Sequence, residues 1–266
     1  MSDAETLWRQ GHWRLWKVGG IRFLRAKRRP FLQDAMATSS NLQERKQREL
    51  EQRRKDILKV VRKMIVKSGA REITMRKVAE ESGFSNTVVY ALFGDKASMI
   101  ANAVDDDLIR LNKLMQAAVV GGKSSIERIR LACLAYVENG LKHPDQYFLV
   151  FMERRPAAPI ETSTLTFGDL ESDPYAFVCS LTAALVHDGY MAADDKQVAV
   201  ATQIIWEGMH GMTSLRVSTG DDPWIERLDA EAHLNLLLDI LLLGIVQRFP
   251  GAKSAAAIKL LSQGRS

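Results

Sequence analysis

A chain of 266 residues, 46% of them apolar, is long enough for two domains and a sizeable core. Its two cysteines, Cys133 and Cys179, exclude a disulfide framework or a cysteine-based metal site; each reads as a small buried hydrophobe in a reducing cytoplasm. The net charge of +5 hides an asymmetry: residues 1–35 hold eight Lys/Arg against three Asp/Glu, residues 36–77 thirteen against five, and residues 78–266 sixteen against twenty-four. A basic N-terminal third before an acidic remainder suits one domain made for phosphates and another that avoids them.

Residues 1–45 read as a basic extension. Three of the five tryptophans (Trp8, Trp13, Trp16) lie here, with Arg22, Arg25, Lys27, Arg28 and Arg29 ahead of Pro30. No apolar run of secretory type occurs, and Gly19-Gly20 interrupts any long amphipathic helix. Two readings stay open: a flexible arm adding charge-driven affinity for DNA, or translation starting at Met36. Either way little fixed structure is expected before about residue 46.

From Gln47 to Lys67, Leu50, Ile57, Leu58, Val61, Met64 and Ile65 recur at helical spacing, and Gly69 ends the helix. This helix is expected to pack across the next element and to present Arg45, Lys46 and Arg53 toward DNA. Thr74–Lys96 reads as a helix-turn-helix. Thr74 is an N-cap, Met75–Ser82 a first helix, Gly83 the turn, Ser85 or Asn86 the next cap and Thr87–Phe93 a second helix. At 100° per residue Val89 and Phe93 face inward with Val78, Ala79 and Phe84, whereas Thr87, Val88 and Ala91 face outward. An outward face of Thr, Val and Ala suits base edges and thymine methyls in a major groove. No Arg or Lys stands on it, so a guanine contact would have to come from elsewhere, such as Arg45 or Lys46. Lys77, three residues after Thr74, leaves no carboxylate for a capping box and frees the amides there for a phosphate.

The run ITMRKVAEESGFSNTVVYALFGDKASMI resembles the DNA-binding domain of TetR-type (TetR/AcrR) transcriptional regulators. It carries the family's tyrosine as Tyr90 and its Phe-Gly-x-Lys run as Phe93-Gly94-Asp95-Lys96, and the resemblance covers about Arg53 to Ala101. Leu92 departs from the pattern, since many relatives have an aromatic residue or His there. Tyr90 and Lys96, helped by Thr74 and Lys77, are expected to position the domain on phosphates, and Asn86, Thr87, Val88 and Ala91 to meet bases, with Ser85 also among the DNA-binding residues. Further on, Trp206-Glu-Gly-Met-His210-Gly211 is similar to a Trp-x-x-x-His-Gly signature in one branch of the family.

The remaining chain alternates helical patterns with breaks and shows no strand periodicity. Lys96–Val120 is one long helix spanning two domains, 46–101 and 102–250, and so able to carry a movement between them. Ser124–Leu141 and a short helix from Pro144 follow; Arg154–Asp169 is the longest irregular stretch and reads as a mobile loop. Helices are expected at Pro174–His187, Ala193–Val217 and Pro223–Phe249, the last capped by Asp222-Pro223, with residues 251–266 as a tail. LNLLLDILLLGIV, Leu234–Val246, is the most apolar run, but its 13 residues with Asp239 inside fall short of the ~20 a bilayer crossing needs. Leucines around more than one face imply burial both in the domain and against a second chain. The resemblance implies the same: the last two helices form a four-helix homodimer interface, here through Leu237, Ile240 and Leu241.

No nucleophile motif, His-Glu-x-x-His or phosphate loop occurs, so no enzyme, cofactor or metal is expected. A lone His210 on an apolar helix reads first as a satisfied core residue. The branch resemblance implies an internal pocket near some of Tyr136, Phe148, Phe151, Trp206 and His210. The chain is expected to be an all-α cytoplasmic homodimer, a regulator (in this family most often a repressor) whose hold on an operator changes with an unidentified small molecule. The rival is a ligand-insensitive architectural DNA binder using the basic residues 1–35.

Overall fold

The computed structural model describes residues 13–18, 21–26, 30–220, 222–224 and 226–262, which fall into two compact units, Met1–Lys55 and Asp56–Ser266. The division lies inside the first helix. In the N-terminal unit, β1 (Trp13–Val18) and β2 (Ile21–Ala26) form an antiparallel pair in register from Trp13↔Ala26 to Val18↔Ile21. They are the only strands among the described residues. Helix α1 then runs from Pro30 to Ser68. This corrects the expectation of little fixed structure before residue 46. Two short runs rich in aromatic and aliphatic residues, separated in sequence by Gly-Gly alone, carry a hairpin signal. Pro30 fits a first helical position because its missing N–H is unneeded there.

From Pro30 onward the regular structure is helical, as the sequence leads one to expect. Helices α2 (Met75–Ser82), α3 (Asn86–Phe93) and the first half of α4 (Lys96–Val119) enclose one core. Ile57, Leu58, Val61 and Ile65 of α1 meet Ile73, Val78, Val89, Phe93, Met99 and Ile100 there, all almost fully buried. Arg62 fastens α1 to α4 by donating to the Ala103 carbonyl and pairing with Asp106 at 3.0 Å.

The second core is built by α5 (Ser125–Lys142), α7 (Pro174–His187), α8 (Asp195–Ser218), α9 (Ala230–Arg248) and the second half of α4. Between α5 and α7, the short α6 (Pro144–Tyr147) passes into a π-helical turn, Phe148–Met152, closed by the Glu153 amide donating to the Phe148 carbonyl at 2.9 Å. Leu149 and Val150 of this turn belong to the first core, while Phe151 touches both.

Three expectations change here. The stretch after residue 153 is stitched to α4 rather than free. Asn102 donates to the Thr162 carbonyl (2.7 Å), Asn112 to that of Leu170 (2.8 Å), and the buried Asp105 accepts from Ser163 and Thr164. Helix α9 begins at Ala230 with Asp229 as its N-cap, not at Pro223; Asp222 instead accepts from the Trp224 amide in a turn, and Arg216 and Arg227 tie the connection to the Leu228 and Thr219 carbonyls. The expected tail contains α10 (Ser254–Ser262), because Ala257 and Leu261, four apart, bury one helical face in the core. Helix α9, 19 residues of mean hydropathy 1.4, is long and apolar enough to cross a membrane by length and composition. Its Leu238 and Leu242 are fully buried in the domain core.

Candidate functional site

The helix-turn-helix is assembled by local chemistry. The Thr74 hydroxyl accepts from the Lys77 amide (3.2 Å), capping α2, and the Ser85 hydroxyl accepts from the Val88 amide (3.3 Å), capping α3. Between them Gly83 turns at φ 72°, ψ 12°, where a Cβ would be strained. Val89 and Phe93 are buried against Val78 and Ala79, which leaves Asn86, Thr87, Tyr90 and Ala91 exposed on the outer side of α3. Val88 is the correction: it is half-buried against the core, because it stands one turn before Leu92 on a flank of α3 that also packs there.

Both lysines expected at phosphates are anchored on the turn before α2. That 3-10 turn, Ala70–Glu72, offers its carbonyls: Lys77 Nζ donates to that of Glu72 (2.9 Å) and Lys96 Nζ to that of Arg71 (2.8 Å). An ammonium has three donors, so each keeps two for a phosphate. The sequence reading missed Arg71 and Arg154, which share an open groove with Lys96. Nothing in the sequence signals that grouping, since Arg154 comes from beyond the π turn. Arg45 and Lys46 lie in the N-terminal unit on the exposed surface of α1, where Arg45 faces Glu49 at 3.7 Å.

Beside the second core lies a cavity of about 400 Å³, within the range of small-molecule sites. Leu108, Leu111 and Met115 of α4, Tyr136, Phe151, Val178 and Trp206 make its apolar wall, and Arg155, Asp173 and Tyr175 also line it. A void of about 30 Å³ shares Met115, Tyr136, Val178 and Trp206 with it. The Tyr136 hydroxyl is buried, facing Tyr147 and Trp206 without a hydrogen bond to either, and burial pushes its pKa up. Asp173 spends its carboxylate on the Gly168, Tyr175 and Ala176 amides, capping α7.

Of the five residues expected near a pocket, Tyr136, Phe151 and Trp206 line the cavity and two do not. Phe148 is 46% exposed, because the π turn rotates it away from Val150 and Phe151. His210 lies behind the wall, its ring 5.7 Å from that of Tyr147 and 5.8 Å from that of Phe151. The missed wall residues, Leu108, Met115 and Val178 among them, look like ordinary core in sequence. Burial pushes the Cys133 thiol up to about 12, leaving it protonated and inert as a nucleophile. Among the described residues no group of His, Cys, Asp and Glu could hold a metal ion.

The expected dimer residues divide as well. Ile240 is 59% exposed, but Leu237 and Leu241 pack onto their own core, with Leu241 lying against Gly208 of α8. The four-residue spacing that carries Leu234, Leu238 and Leu242 inward leaves Leu236 and Ile240, each two positions after an inward leucine, outside.

Residues 129–241 match the family described as tetracyclin repressor-like, C-terminal domain. No curated protein matches the chain. Several solved structures share the fold. A putative TetR-family transcriptional regulator from Vibrio parahaemolyticus is 20% identical at a TM-score of 0.55, over 71% of this chain and 95% of that one. A putative TetR-family regulator from Shewanella sp. PV-4 is 12% identical at a TM-score of 0.55, over 70% and 95%. The fatty acid degradation regulator FadR from Bacillus halodurans is 14% identical at a TM-score of 0.55, over 71% and 94%.

Proposed function

We propose that this chain is a TetR-type, sequence-specific DNA-binding transcriptional regulator, a reading supported by the family match of residues 129–241 and by the fold of nearly three quarters of its length. The observation that carries this reading is the outer side of α3. Asn86, Thr87, Tyr90 and Ala91 stand exposed on a helix whose other side is locked into a core by Val89 and Phe93. Such a helix can enter a major groove without unfolding anything, with Thr74, Lys77, Tyr90 and Lys96 holding phosphates beside it.

The chain acts as a homodimeric repressor whose operator affinity a small molecule retunes. Val200, Ile204 and Leu215 on α8 and Leu236 and Ile240 on α9 leave large apolar side chains in solvent, and Gly211 and Gly244 have open space above them. Two such helix pairs from two copies would bury these residues as a four-helix seam. The ligand is mostly apolar, as the cavity wall is.

Selection of an operator from random duplexes tests the reading. A regulator should prefer the selected site over random DNA by ~10³-fold or more at physiological salt. Equal affinity for both would instead make the chain an architectural DNA binder.

A further inference from the structure

Glu153 joins the two halves of the C-terminal unit. Its Oε1 accepts from the Ala70 amide at 2.9 Å, across 83 residues of sequence, and lies 3.6 Å from where a Cβ on Gly69 would sit. On one side of this bond is the cavity. Val150, Phe151 and Arg155, all lining it, bracket Glu153 in the chain. The Glu153 amide closes the π turn on Phe148, and Arg155 donates to the Val150 carbonyl at 2.9 Å, so Glu153 moves with that wall. On the other side is the 3-10 turn Ala70–Glu72, whose next two carbonyls hold Lys96 and Lys77. One carboxylate therefore touches a turn that anchors the ammonium groups flanking the recognition helix.

We propose that Glu153 is the positioning residue that transmits occupancy of the cavity to the DNA-contacting lysines. The inference rests on the regulator reading above. The bond defines the DNA-competent arrangement. A ligand that presses on Val150 and Phe151 displaces the π turn, draws the carboxylate off the Ala70 amide and loosens the turn, so that Lys77 and Lys96 lose their fixed placement. A π turn suits this role because its wider ring is less well packed than an α turn and can relax by one residue. A charge-assisted bond to a backbone amide is strong enough to bias such a two-state element.

The test uses the full chain and a selected operator. Glu153→Ala is expected to bind the operator roughly tenfold more weakly, the loss of one charge-assisted hydrogen bond. It should flatten the log-affinity against log-salt slope by about one to two units and speed amide exchange at Ala70. Glu153→Gln keeps a side-chain oxygen at the same reach and should stay within about twofold of the unchanged chain. N-phenyl-1-naphthylamine, a neutral apolar fluorophore, serves as the cavity probe, and Met115→Trp, which fills the cavity, should abolish its binding. The probe should bind Glu153→Ala more tightly than the unchanged chain, by up to about tenfold because no bond has to break, yet weaken operator binding only in the unchanged chain. Unchanged affinity, slope and Ala70 exchange in Glu153→Ala overturn the inference. So does a probe that fills the cavity without altering operator affinity, or that alters it equally in both chains. If instead the unchanged chain shows no operator preference, the regulator reading has failed, and Ala70 exchange with and without probe still judges the link.

Discussion

Tyr147 and His210 are joined twice: the Tyr147 hydroxyl donates to the His210 carbonyl at 3.1 Å, and His210 Nδ1 lies 2.7 Å from the same oxygen. With the hydroxyl hydrogen committed to the carbonyl, Nδ1 carries its own hydrogen and donates to the tyrosine. Neutral His210 satisfies this with one proton, and burial lowers its pKa below 6.5. The unfolded chain therefore takes up a proton near pH 6.5 that the folded chain accepts only at lower pH. This part of the stability is complete above pH 6.5 and is lost as pH falls from there through the folded pKa. The melting temperature of the unchanged chain should drop further between pH 7.5 and 5 than that of His210→Gln; parallel curves would mean that His210 does not contribute.

Lys96 holds the Arg71 carbonyl with one of its three donors. Lys96→Ala should weaken selected and random duplex alike and flatten the salt slope by about one unit. A slope equal to that of the unchanged chain would take Lys96 off the phosphate.

Base readout follows from what the outer side of α3 lacks. With Val88 turned toward the core, Asn86, Thr87 and Ala91 remain to meet bases, and none is a guanine reader. Selected half-sites should carry A·T pairs at their centres. A uniformly G·C centre would assign the reading to another element.

The dimer seam is tested at residues that are outside in the single chain. Ile204→Asp with Ile240→Asp places two charges on exposed positions, 38% and 59% accessible, and leaves the core untouched. The variant should stay folded but sediment as a monomer, with operator binding lost. A variant that remains dimeric would move the seam to another face. Charges at Leu237 and Leu241 would be a poorer test, since both pack on the core and their replacement would unfold the domain.

Gly140 marks a close helix approach. A Cβ there would meet Thr213 Cγ2 at 2.5 Å and Tyr147 Cδ2 at 2.9 Å, both in well-packed surroundings. Gly140→Ala should cost ~1–3 kcal/mol, the usual penalty of overpacking, in chemical denaturation. A neutral result would show that α5 can shift away from α8.

Whatever depends on neighbours along the chain can be read from residue spacing alone. Caps at Thr74 and Ser85, the left-handed Gly83 and the inward pair Val89 and Phe93 are satisfied within one or two helical turns. Their spacing in the sequence therefore becomes geometry directly. Whatever depends on distant segments emerges only when the chain has folded. The buried Asn102, Asp105 and Asn112 of α4 look like solvated positions until the loop after Glu153 arrives to pair with them. Leu237 and Ile240, three apart in one leucine-rich run, differ in fate because the core covers one side of α9 and leaves the other open. The bond from Ala70 to Glu153 has no sequence signature, since a backbone amide carries no side-chain identity and only the packing of the π turn brings a carboxylate to it.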